Sequence, residues 1–98
     1  MSVTVVVKLK AQKGKGVGLL AVFSQPLVEI RSSSDCLSAQ LYMGAESPDE
    51  LVLLGEWTSA EAHKKQFEAL NASGAFEEAQ PILAGPMETT YYTRLADS

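Results

Sequence analysis

The chain opens on "VTVVVKLKA", Val3 to Ala11, where a β-branched run passes into alternation, with Lys8 and Lys10 flanking Leu9. Branched side chains suit a pleated surface and a period of two separates two faces, so a strand is predicted. After "QKGKGVG", Val17, Leu20, Ala21, Ser24, Leu27 and Val28 fall on one stripe at helical spacing. An amphipathic helix is predicted, with a kink or late start at Pro26, which lacks a backbone donor and clashes with the preceding turn. "CLSAQLYM", Cys36 to Met43, sets Leu37, Ala39, Leu41 and Met43 against Ser38, Gln40 and Tyr42, the pattern of a strand with two unlike faces. The loop "GAESPDE" leads into "LVLLGEW", a near-continuous apolar run that reads as a central strand pairing antiparallel with the one before it. Thr58 and Glu61 have capping-box spacing and start a helix that runs to about Leu70. Ser73 caps a further short helix with Phe76, Ala79 and Leu83, interrupted by Pro81, and Gly85 with Pro86 is a stop signal. "METTYYTRL", Met87 to Leu95, is the last strand.

The order is β-α-β-β-α-β in one domain over residues 1–98, an α+β fold of the ferredoxin-like kind with a four-stranded antiparallel sheet. Helices can cover only one face of such a sheet. The central run is apolar at both parities up to Leu54, and Val3, Val5 and Val7 alternate with Thr4 and Val6. A second apolar face marks an interface, so a two-fold homodimer with sheet packed on sheet is expected.

Composition narrows the chemistry. The 98 residues are 46% hydrophobic and 20% charged, as in a globular domain, and the net charge is −4. Eight scattered basic residues do not make the clustered Lys and Arg surface that releases counterions from nucleic acid. No apolar run approaches the roughly 20 residues of a membrane span, and the N-terminus lacks the order of a signal peptide, so a cytoplasmic protein with no membrane partner is expected. The single cysteine, Cys36, supplies neither an internal disulfide nor a thiolate metal cluster, and no metal site is expected. "GKGVG" lacks the glycine spacing of a dinucleotide fingerprint and the Gly-Lys-Ser/Thr ending of a phosphate loop; it reads as a plain strand-to-helix connection whose lysines and helix start could attract an anion.

The opening "VTVVVKLKAQKGK", "DCLSAQLYM", the junction "LVLLGEWTSAEA" and the closing "AGPMETTYYTRL" together resemble the antibiotic biosynthesis monooxygenase domain of the dimeric α+β barrel superfamily, in order and over nearly the whole chain. The resemblance implies a cofactor-independent monooxygenase acting on a small aromatic, quinol-like or polyketide-type substrate. A phenolic substrate is deprotonated, its anion passes an electron to dioxygen, and the radical pair recombines to a hydroperoxide that eliminates water. Alternatives within the same fold are a dimeric module that binds a small aromatic ligand without turnover and, more weakly, an isomerase of a small phosphorylated hydroxyketone. The sequence departs from the family at Gln66 and around Ala75 and Phe76, where many members carry histidines, and at Asp35, where they carry glycine.

The candidate residues follow from both readings. His63, Phe67 and Leu70 lie at i, i+4 and i+7, so the only histidine shares an inward face with apolar residues and is the candidate general base. Trp57, the only tryptophan, ends the central strand and is either a core anchor or a pocket wall, with Gly55 leaving room beside it. Phe67 and Phe76 are further walls, and Gln66, near the family's histidine position, joins the substrate-binding set. Tyr42 and Tyr92 are candidate hydroxyl donors; Tyr91 and Tyr92 have opposite parity, so at most one faces the helices. No flavin, nicotinamide or haem motif is present, and no cofactor is expected.

Overall fold

The computed structural model describes residues 2–93 and Leu95. Four strands, β1 (Val3–Lys10), β2 (Cys36–Met43), β3 (Glu50–Trp57) and β4 (Glu88–Thr93), alternate with two helices, α1 (Gly16–Arg31) and α2 (Ala60–Ala72). They form one sheet of order β2-β3-β1-β4 with every neighbouring pair antiparallel. This is the expected ferredoxin-like arrangement, with β2 and β3 as the hairpin.

Register assigns each residue a face. Across the sheet, Ala39, Gly55, Val5 and Tyr91 make one row and Leu41, Leu53, Val7 and Thr89 the next. Val5, Val7, Leu9, Ala39, Leu51, Leu53 and Trp57 of these inward rows are buried beneath the helices. The intervening rows, Ser38-Glu56-Thr4-Tyr92, Gln40-Leu54-Val6-Thr90 and Tyr42-Val52-Lys8-Glu88, face the other way. Their centre is apolar, with Val6 and Val52 half-buried and Leu54 exposed, and their rim is polar. A β-bulge near Leu37 shifts the start of β2.

Helix α1 corrects the expected stripe. Its buried residues are Gly16, Leu19, Phe23, Pro26 and Ile30, whereas Val17 and Val28 are 68% and 59% exposed. The helix is apolar on both arcs, and the sheet takes the one with greater side-chain volume, anchored by Phe23 and Ile30. Nor does Pro26 divide it: the helix is continuous from Gly16 to Arg31, with the proline ring in the buried face. At its C-terminus Arg31 Nε donates to the Ala39 carbonyl at 2.8 Å, tying helix to β2.

The cap of α2 is also displaced by one residue. Ser59, with extended backbone, accepts from the Ala62 N–H at 3.1 Å, while Thr58 donates its hydroxyl to Asp35 at 2.9 Å. Glu61 therefore sits one position short of a capping box. The other end closes with a Schellman pattern: Gly74 N–H reaches Asn71 O at 3.2 Å and Ala75 N–H reaches Leu70 O at 3.0 Å, with Gly74 at φ +83°. Ser73 accordingly ends α2 instead of starting another helix. Beyond it only a 3-10 turn, Glu77–Ala79, forms, and Leu83 then pairs with Ala11 in an isolated bridge. Of the expected last strand, Glu88–Thr93 is regular; position 94 lies outside the described residues.

Candidate active site

The two strand-to-helix junctions are built differently, and only one leaves chemistry available. After β1, the N–H groups of Gly14 and Gly16 both donate to the Asp49 carboxylate at 3.0 Å. These two bonds hold the Asp49 carboxyl below its ordinary range. A Cβ on Gly16 would lie 1.9 Å from the Pro48 carbonyl oxygen, so the loop can approach only because that residue is glycine. The "GKGVG" segment thus already holds an anion, its own aspartate.

After β3 the picture changes. Trp57, 2% exposed, closes the inward face of β3, and its indole nitrogen lies over Gly55, where an added Cβ would sit 3.0 Å from it. One turn into α2, His63 points down onto the sheet and is also 2% exposed. Its ring is 4.2 Å from Phe67 and 5.1 Å edge-on from Trp57, measured between centroids. Phe67 passes the contact to Phe76 at 5.5 Å, and Phe76 stacks on Phe23 of α1 at 5.5 Å. The aromatic residues of both helices and of the 3-10 turn thus meet above the sheet.

His63 Nδ1 lies 2.9 Å from the Tyr91 hydroxyl, and the two rings are edge-on at 5.4 Å. Burial drives the His63 pKa down from 6.5 to about 4, because a charged imidazolium there loses its hydration. At neutral pH the ring is uncharged, and Nδ1 is the nitrogen that meets the phenol. Burial likewise raises the Tyr91 phenol above its usual value. Lys64 Nζ stands 5.4 Å from the Tyr91 ring centre, a cation over the outer edge of the pair.

Inside this ring of side chains is a cavity of about 10 Å³, lined by Val5, Val7, Ile30, Ala39, Leu53, Gly55, Trp57, His63 and Phe67. That is roughly the room needed by one water molecule, far below the roughly 300 Å³ at which drug-sized ligand pockets begin. Trp57, His63, Phe67 and Phe76 are therefore together at one place. Gln66 is half-buried on the same helix, one turn from His63. Tyr42 and Tyr92 do not join them: both belong to outward rows and are 49% and 51% exposed. The inward phenol is Tyr91, paired with Val5, and parity alone did not choose between it and Tyr92 because the β1-β4 register is not written in either strand.

The comparisons place this geometry in a family. A family model described as antibiotic biosynthesis monooxygenase matches residues 2–81. The chain belongs to that family. Solved structures share its fold at low identity. Rv0793 from Mycobacterium tuberculosis is 20% identical with a TM-score of 0.82, covering 100% of this chain and 99% of that one. SnoaB from Streptomyces nogalater, a cofactor-independent oxygenase, is 14% identical with a TM-score of 0.80, covering 98% and 95%. A conserved protein from Methanosarcina mazei is 18% identical with a TM-score of 0.84, covering 97% and 94%. No curated protein matches the sequence. Among the described residues no three His, Cys, Asp or Glu side chains are grouped to hold a metal ion, and no helix is long and apolar enough to cross a membrane.

Proposed function

We propose that this family member is a cofactor-independent monooxygenase acting on a small phenolic or enolic substrate, with His63 as its general base. The observation that carries the reading is the neutral imidazole of His63, buried among Trp57, Phe67 and Tyr91 with one nitrogen held by a phenol. His63 takes the substrate's hydroxyl proton, Trp57, Phe67 and Phe76 pack the ring, Tyr91 orients the base, and the substrate anion supplies the electron to dioxygen. Gln66 is in reach of a substrate entering along α2.

Magnitudes select the substrate class. An ordinary phenol of pKa about 10 is about 6 units less acidic than an imidazolium of pKa about 4, so proton transfer runs uphill by about 8 kcal/mol. Attraction between the new anion and imidazolium at 4 Å returns about 4 kcal/mol at an effective dielectric of 20. The remainder falls by about 1.4 kcal/mol for each unit of substrate acidity. A hydroxyl conjugated to a carbonyl, as in polyketide-type aromatics, is therefore favoured over a simple hydroquinone.

An aromatic ring exceeds the present cavity, so entry requires an element to move. Helix α2 is the one suited to it: only His63 and Leu70 of its residues are fully buried, against five residues in α1. A second copy of the chain packed on the outward sheet face, in a cytoplasmic homodimer, leaves the helix side open for that motion. The same closed geometry supports a second reading, a module that binds a small aromatic without turnover, because His63 is so weak a base. The hydroxyketone isomerase lacks comparable support, since no Lys or Arg lines the cavity.

Oxygen uptake with hydroquinones and with carbonyl-conjugated phenols, compared between the wild-type protein and His63→Ala, tests the reading. Loss of about 10²- to 10⁴-fold in the variant is expected for a general base. Equal rates remove His63 from that role, and ligand retention with no uptake in either protein selects the second reading.

A further inference from the structure

The two helices meet solvent with different surfaces. Exposed positions of α2 include Glu61, Lys64, Lys65 and Glu68, as suits a helix whose outer face ends in water. From Gly16 to Val28, by contrast, α1 carries no charged side chain. Val17, Ala21, Ser24 and Val28, all exposed, follow one another at i, i+4, i+7 and i+11 and form a stripe opposite the buried Leu19, Phe23, Pro26 and Ile30. Valine and serine are poorer helix formers than Glu or Lys, so an outer face that stayed in water would gain nothing from them. Burial against another surface accounts for the choice.

The ends of the stripe are oppositely charged. Lys15, exposed, is the N-cap of α1, and Glu29, exposed, stands in its last turn. Each is at the end where the helix dipole disfavours its charge. Lys15, Val22 and Glu29 are spaced seven apart and share one flank of the stripe. At the acidic end an open groove of about 440 Å³ lies between α1 and the 3-10 turn, with Val22 and Ala75 in its apolar lining and Glu29, Glu77 and Glu78 as its carboxylates.

We propose that this stripe is a self-association surface on which α1 of another copy packs antiparallel, about a two-fold axis between Ala21 and Ser24. It is separate from the outward sheet face and independent of the monooxygenase reading. A single register satisfies every position. Val17 meets Val28 of the second copy, Ala21 meets Ser24, and Lys15 reaches the groove beside Glu29, with each contact repeated by symmetry. Small residues at the axis let the helices approach closely. Parallel pairing would instead set Lys15 against Lys15 and Glu29 against Glu29. One helix from each copy supplies fewer residues than the roughly 20 to 30 a side of a stable interface, so the pairing is weak and joins sheet-face dimers only at high protein concentration.

Sedimentation over a rising concentration series tests this. The mass is expected to double at the upper end. Ala21→Arg, at an exposed position on the axis, sets like charges together and is expected to weaken the doubling more than about tenfold. Leu54→Lys, on the far side of the sheet, is expected to halve the mass at both ends of the series without removing the doubling, so the two interfaces are read separately. Glu29→Lys is expected to weaken association several-fold in the wild-type background and to strengthen it in Lys15→Glu, because only antiparallel pairing puts these two side chains together. No doubling at any concentration, doubling that survives Ala21→Arg, or an effect of Glu29→Lys with the same sign in both backgrounds overturns the proposal. Binding to phosphatidylcholine vesicles in place of doubling, lost in Ala21→Arg, would assign the stripe to a lipid surface and overturn the second copy as its occupant.

Discussion

The two faces of the sheet are made by the same four strands and differ in every property that matters for function. The inward face carries Val5, Val7, Leu53 and Trp57 beneath two helices, dry enough that burial lowers the His63 pKa from 6.5 to about 4. On the outward face Leu54, Val6 and Val52 are ringed by Tyr42, Tyr92, Lys8, Glu88 and Glu56, an apolar centre with a polar rim. That composition is typical of a surface that meets another protein. One face is covered within the protomer and encloses His63; the other stays open, the face on which a second copy is proposed to pack. Adjacent residues on one strand therefore have unrelated roles, and substitutions of neighbours separate the two.

Leu53 and Leu54 give the largest contrast. Leu53, 4% exposed, touches the cavity, and Leu53→Ala is expected to lower unfolding free energy by about 3 kcal/mol at any protein concentration. Leu54→Ala is expected to change a dilute protomer by less than about 0.5 kcal/mol. Its effect should appear in assembly instead: wild-type protein sediments as a dimer, and Leu54→Lys shifts it to monomer by placing a charge in the apolar centre. A wild-type protein that sediments as a monomer at all concentrations would remove the proposed partner of this face.

The inward face also predicts an acid limb of stability. The pKa of His63 is about 6.5 unfolded and about 4 folded, so between these values the unfolded chain binds the extra proton and stability rises with pH. The contribution is complete above pH about 6.5, is lost as pH falls toward 4, and amounts to about 3 kcal/mol across the window. His63→Gln removes that titration. Urea midpoints of the two proteins should therefore diverge at pH 7 and converge toward pH 4 relative to their difference at neutrality. Parallel curves would mean that the imidazole is not held dry.

Much of the fold was legible because strand patterns are short-range and strongly expressed. Alternation in Cys36–Met43 and the apolar run before Trp57 defined β2 and β3 within a residue. The helix faces were less legible. Apolar residues surround α1, so its periodicity fits more than one arc, and the choice of Phe23 and Ile30 is made by the sheet it packs against. The cap at Ser59 was masked in the sequence by the pattern of Thr58 with Glu61, and it falls to Ser59 because Thr58 bonds instead to Asp35, 23 positions away. In the site, helical spacing was enough to bring His63 and Phe67 together. Tyr91 was not singled out, since its role depends on the β1-β4 register that sets it opposite Val5. Long-range register is the information that local pattern does not carry.

Tyr91 and Tyr92 therefore make the finest test of the contrast between faces. Tyr91→Phe keeps the ring against His63 and deletes only the hydroxyl that meets Nδ1 at 2.9 Å, with an expected cost of about 1 kcal/mol for one buried hydrogen bond. Tyr92→Phe deletes the same atom from an exposed ring and is expected to cost less than about 0.5 kcal/mol in the protomer. The cycle with His63→Gln sharpens this further: if the phenol and imidazole act as a pair, Tyr91→Phe loses most of its effect once His63 is gone, giving a coupling of about 0.5 to 1 kcal/mol. Additive effects would place Tyr91 among packing residues and leave His63 to be oriented by its ring contacts with Trp57 and Phe67 alone. Coupling at Tyr91 with none at Tyr92 would show that one step along a strand separates the buried face that holds His63 from the exposed one.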